Sequence, residues 1–306
     1  MFSQKFFDSE LLQQSLELAE SLDRFHFFMN ENHLDRAKTE IEKLAQTHVR
    51  PFIYKNMYWL EVKRGSSEGQ VNAARKLVEC EPSLENQYLL AQALFTSEND
   101  REALSVYHQI LDQLAEPTWL MFSIYKNIGS IYMKAKDFEA AEESFNKAHT
   151  INSDDLNLLV SYGYLYLHAG RLNEAKDRFA AILEKDKDFS EAYIGLGILH
   201  ATVGEFELAC ANLSHVLDKT PSHKLALYLH YTWSDKHLSS EASIDFINNF
   251  LKEFPRDQEA LTLKVGYYIK QQNFRKAYET LPILKKNYTG SSRYIAQLEG
   301  YLRDAI

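Results

Sequence analysis

FSIYKNIGSIYMKAKDFEAAEESFNKAHTINSDD (122–155), LNLLVSYGYLYLHAGRLNEAKDRFAAILEKDKDF (156–189) and SEAYIGLGILHATVGEFELACANLSHVLDKTP (190–221) stand in register from Phe122 to Pro221. Gly129, Gly163 and Gly197 recur every 34 residues, and so do Ala141, Ala175 and Ala209. A bulky residue precedes each glycine (Ile128, Tyr162, Leu196), and a ring follows three residues later (Tyr132, Tyr166, His200). Four residues past each alanine stands Phe145, Phe179 or Leu213. A fixed period of this length marks helix–turn–helix units that stack because none can bury its apolar face alone.

The small residues have a steric purpose. Glycine is expected where two antiparallel helices cross so closely that a side chain would hold them apart, with the alanine serving the same contact from the second helix. The rings fill the wedge between units, each worth about 1.5–3 kcal/mol when buried. Stability is then a sum of unit and interface contributions, and Ala175→Leu is expected to overpack by roughly 1–3 kcal/mol.

This pattern resembles the tetratricopeptide repeat family. The resemblance implies an all-α, right-handed superhelix (an α-solenoid) of about seven helix–turn–helix repeats plus a C-terminal capping helix. It further implies a concave groove lined by the second, fifth, ninth and twelfth positions of each repeat. Carried onto this sequence, the groove residues are Lys126, Ser130 and Met133; Asn157, Val160, Tyr164 and Leu167; and Glu191, Ile194 and Ile198. Tyr88, Gln92 and Phe95 extend the surface on one side, Tyr228 and Thr232 on the other. Such a surface suits an amphipathic helix or an extended hydrophobic segment, with Tyr164 and Tyr228 as aromatic anchors. The lysine–asparagine–arginine clamp by which co-chaperones of this family hold a C-terminal carboxylate is missing: Lys126 has the position, but its companions are Ser130, Ser161, Glu191 and Gly195.

Outward from this stretch the pattern weakens. Residues 1–83 read as degenerate repeats, 84–221 as clear ones, 222–291 as divergent ones and 292–306 as the cap, all in one domain. Asp8-Ser9 is expected to cap a first helix reaching Asn30. Phe2, Phe6 and Phe7 ahead of it would fold over the open end of the first helix pair or form a docking arm. Gly65-Ser66-Ser67-Glu68-Gly69 reads as a loop, and Pro117 as part of the first turn of a helix that starts early. Tyr231 and Ser243 occupy positions of the small residues, and Pro282 should kink or shorten its helix.

Composition bounds the chemistry. A net charge of −9 over 306 residues argues against a general nucleic-acid binder, although residues 258–306 carry eight Lys/Arg against four Asp/Glu. That local excess would meet an acidic partner or simply form a solvated face. Cys80 and Cys210 are isolated and suggest neither a disulfide framework nor a zinc site. No signal-like apolar run opens the sequence, and no stretch of about 18 apolar residues interrupts it, so a cytoplasmic protein without membrane insertion is expected. Of the eleven histidines none are spaced HxxxH; His230 and His237 share a helix face but stand about 10.5 Å apart on a straight helix, too far for one metal. His200 reads as a packed wedge residue, and Asp154-Asp155 as the charged start of a helix rather than a catalytic pair. Gly195-Leu196-Gly197 lacks the strand and third glycine of a dinucleotide loop. No metal, cofactor or catalytic residue is expected. The reading is a non-catalytic adaptor that binds a protein or peptide. A chaperone for a secreted or assembling subunit, or a regulator sensing a peptide or a signalling GTPase, are the alternatives, and an enzyme with an unrecognised site is a more distant one.

Overall fold

The computed structural model describes the backbone of residues 2–238 and 242–306, and side chains from residue 16 onward except 238–242. The three N-terminal phenylalanines therefore lie outside the described side chains. Among the described residues every regular element is helical, and the helices gather into two compact units, residues 1–153 and 154–306.

The first unit holds α1 (Phe2–Asn30), α2 (Leu34–Thr47), α3 (Pro51–Arg64), α4 (Ser67–Cys80), α5 (Leu84–Thr96), α6 (Asp100–Leu111), α7 (Trp119–Lys134) and α8 (Phe138–Ile151). The second holds α9 (Leu156–His168), α10 (Leu172–Lys185), α11 (Ser190–Thr202), α12 (Phe206–Lys219), α13 (Lys224–Trp233), a π-turn (Ser234–Leu238), α14 (Ala242–Glu253), α15 (Gln258–Lys270), α16 (Phe274–Asn287) and α17 (Ser292–Ala305). Sequence neighbours pair as hairpins, giving eight among the described residues and a final single helix. The resemblance implied about seven.

One turn motif closes most hairpins. After the first helix comes a residue with left-handed backbone: Asn32, Gly65, Glu98, Lys136, Gly170, Gly204 and Gln272. The next amide reaches back five residues to a carbonyl of the first helix, as from Arg171 to Tyr166 at 2.8 Å and from Asp137 to Tyr132 at 2.9 Å. This Schellman geometry satisfies carbonyls a helix end would leave bare and reverses the chain in two or three residues. Only glycine enters that region without a Cβ clash, so Glu98 and Lys136 sit there at a cost. In the α13–α14 hairpin the first helix runs on into the π-turn Ser234–Leu238.

Helix starts are capped by side chains. Thr118 accepts from the Met121 amide at 3.2 Å, so α7 starts early as expected, but Pro117 precedes the cap rather than joining the first turn. Ser66 accepts from the Gly69 amide, which makes Ser67–Gly69 the first turn of α4 and corrects the loop reading. Asp155 accepts from the Leu158 amide at 2.6 Å, the structural role expected of it. α1 runs from Phe2 without a break at Asp8-Ser9. Nor does Pro282 shorten α16, which keeps 14 residues; its ring is exposed, so the carbonyl deprived of its donor can turn toward water.

The core follows the small-residue positions. Ala141, Ala175, Ala209 and Ala277 are fully buried, as are Phe145, Phe179 and Leu213 four residues beyond three of them. The glycines serve the ring more than the backbone crossing: a Cβ on Gly129 or Gly163 would strike Phe145 or Phe179. The cap α17 buries Ile295 and Leu302 against the α15–α16 layer, with Leu298 half-buried beside them.

Candidate partner-binding surface

In the second unit the first helices of three successive hairpins, α9, α11 and α13, carry the predicted groove positions. Their exposures differ sharply. Leu225 is 52% exposed and Tyr228 53%, one turn apart on α13. Thr232, a turn further, gives its hydroxyl proton to the Tyr228 carbonyl at 2.8 Å. Asn157 and Glu191 are exposed. Tyr164 is half-buried with its ring edge on Phe179, 5.5 Å between centroids. Burial, with the Glu191 carboxylate adding to it, pushes the Tyr164 hydroxyl up to about 12, so it is a neutral donor throughout the physiological range.

Other predicted residues belong to the packing. Ile194 is 2% exposed and joins the layer of Leu213, Val216 and Leu227, which corrects its placement in the groove. Val160 and Leu167 are also buried, and Ile198 leans on the same layer as Ile194. The fifth position of a repeat thus turns inward where it is aliphatic, because an apolar chain gains more from the adjoining helices than from water.

In the first unit the predicted positions are largely engaged with their own neighbours. Tyr88 is buried; its hydroxyl accepts from Gln92 Nε2 at 3.0 Å and faces Asn127 Nδ2, which donates to the Tyr107 hydroxyl at 2.9 Å. Burial raises the Tyr88 and Tyr107 hydroxyls above the ordinary tyrosine value. The Lys126 ammonium lies 5.0 Å over the Phe122 ring, and Ser130 donates to the Lys126 carbonyl. Lys134 covers the face of Phe95 at 5.2 Å while pairing with Asp100. Met133 is half-buried. Asn127 was not singled out by its spacing; an amide amid two tyrosines is visible only once α5, α6 and α7 are packed.

The histidines do not assemble a site. Among the described residues no group of three or more His, Cys, Asp or Glu could hold a metal. His237 stacks flat on Phe206 at 3.5 Å, whereas His230 is buried. His200 holds Glu205 at 2.7 Å across the turn it precedes. Much of the C-terminal positive charge is met locally: Lys270 by Asp235, Lys285 by Glu299, Arg275 by Glu279. Among the described residues no helix is long and apolar enough to cross a membrane.

A family profile described as "Tetratricopeptide repeat" matches residues 132–199, from the end of α7 through most of α11. The chain carries tetratricopeptide repeats. Its hairpins align with those of yeast Tom70 over 89% of this chain and 60% of that one, with a TM-score of 0.64 at 13% identity, a likeness of fold alone. In sequence, this tetratricopeptide-repeat chain is 25% identical over 143 residues to the BBSome complex member BBS4 of Bos taurus. It is 30% identical over 74 residues to human tetratricopeptide repeat protein 13. Those matches cover 47% and 24% of this chain, and it spans only 27% and 9% of the lengths of these relatives. The tetratricopeptide fold is that of a protein–protein interaction scaffold in general terms.

Proposed function

We propose that this protein is a non-catalytic, cytoplasmic adaptor that holds an amphipathic helix or extended apolar segment of a partner protein against the first helices of its repeats. The observation that carries this reading is the Leu225–Tyr228 pair. Two large apolar side chains, each more than half exposed, stand one turn apart on a first helix, where the same positions of the preceding repeats are smaller, charged or buried. An aromatic ring with a phenolic tip anchors such a contact at low entropic cost. Tyr164 contributes its neutral hydroxyl, and Asn157 and Glu191 supply polar groups at the rim.

The test compares wild type with Leu225→Ala/Tyr228→Ala as bait in cell extract. These side chains face solvent, so the variant should keep the wild-type thermal midpoint. Tyr164→Ala would be a poorer choice because its ring also supports Phe179. A partner held by wild type and lost by the folded variant supports the surface. A partner held equally by both overturns it.

A further inference from the structure

The α13–α14 hairpin has a polar centre. His230 is 2% exposed. Its Nε2 lies 3.1 Å from Ser214 Oγ on α12, and its Nδ1 lies 3.3 Å from Ser243 Oγ on α14. Phe246 of α14 meets the imidazole edge-on at 5.0 Å, and the His230 carbonyl accepts from Cys210 Sγ on α12 at 3.9 Å. Asp218 on α12 is the acidic group that acts on the ring, and no carboxylate among the described residues pairs with it. Freely turning serine hydroxyls satisfy either neutral tautomer. A second proton would place a full charge among Leu213, Val216, Leu227, Ile247 and Phe250 with no counter-ion in contact.

The same hairpin is the least regular of the array. α13 has 10 residues and ends in the π-turn Ser234–Leu238. Within it the fully buried Ser234 hydroxyl has no hydrogen-bond partner among the described residues. Unsatisfied polar burial and π geometry both mark a segment held by its surroundings rather than by its own bonds.

We propose that the α13–α14 hairpin is an acid-sensitive joint, in which protonation of His230 detaches α13 from α12 while the other hairpins stay folded. Burial already depresses the imidazole to about 4, which places the response below neutrality. Tyr228 and Thr232 ride on α13, so opening would also withdraw them from the partner surface; that corollary rests on the groove reading, and the joint itself does not.

Cys210, 6% exposed beneath α13, reports the opening directly. In a Cys80→Ser background, labelling by 4,4′-dithiodipyridine is followed from about pH 7 to about pH 4 and normalised at each pH to the urea-unfolded chain. The expected result is steady protection near neutrality, then a loss of about tenfold per pH unit as the imidazole takes up its proton, with helical circular dichroism unchanged. His230→Gln should flatten the profile, and Asp218→Asn should leave the onset in place but carry the loss further, to a lower pH before it levels off, by removing the acid that favours the charged ring in the closed hairpin. A flat wild-type profile, an equal slope in His230→Gln, or helicity lost in step with protection would overturn the proposal. If His230→Gln does not fold, the wild-type and Asp218→Asn profiles decide it.

Discussion

The ring of Phe179 lies so close to Gly163 that a methyl group there would stand 2.5 Å from its Cε1. Gly195, on the next first helix, is approached more closely still by the same ring. One fully buried phenylalanine on α10 is therefore clasped between glycines of α9 and α11. Gly163→Ala should destabilise the second unit by roughly 1–3 kcal/mol through overpacking, despite alanine's better helix propensity. Gly197→Ala should fall within about 1 kcal/mol of wild type, since its methyl would meet Leu213 at an ordinary 3.4 Å and the Ala209 carbonyl at 3.3 Å. Urea melts of the two variants side by side check the contrast; equal losses would show that the ring is free to move.

Ser243 occupies the slot that holds alanine in neighbouring repeats. Restoring alanine there should nonetheless cost about 1 kcal/mol, because the hydroxyl is the partner of buried His230 Nδ1. A stabilised Ser243→Ala protein in the same melts would mean that the bond contributes nothing.

His230 also gives the global stability a sign with pH. Its folded value, about 4, lies below its ordinary value of 6.5, so the unfolded chain binds the proton more readily. The neutral ring's contribution is intact above about pH 6.5 and declines as pH falls toward 4. The full difference is about 3 kcal/mol. Carboxylates titrate nearby, so the measurement is the difference between wild type and His230→Gln in urea stability at several pH values. That difference should shrink in wild type's disfavour as acid is added.

The two thiols should separate cleanly at neutral pH. Burial pushes Cys210 up to about 11, whereas Cys80 is half-exposed. One equivalent of a disulfide reagent should react readily and the second only on unfolding. Peptide mapping should place the fast label on Cys80; a fast label on Cys210 would contradict the packing of α12 beneath α13.

What could be read in advance was what repeats. The 34-residue return of Gly163, Ala175 and Phe179 announces the helical hairpin because all three side-chain sizes are set by one local contact. Position within the repeat was a weaker guide to exposure: Ile194 and Tyr228 hold the same fifth place, yet one is core and the other is half in water. The outcome depends on what the adjoining helices offer, and a single period does not encode that. The His230 centre was hidden more deeply. Its partners lie 16 residues before it and 13 after it, on two different helices, and the π-turn that ends α13 leaves no residue signature of its own.

Lys185 reaches back to Asp154, and Lys219 to Asp188, each across 31 residues. An offset shared by successive repeats makes these ion pairs indifferent to how many repeats there are. In a descendant lacking residues 156–189, Lys219 would inherit Asp154 at the same separation. A duplicated repeat would likewise bring both halves of a new pair. Loss or gain of whole units can thus proceed without stranding a charge, so the array can change length in evolution while its surface electrostatics stay in register.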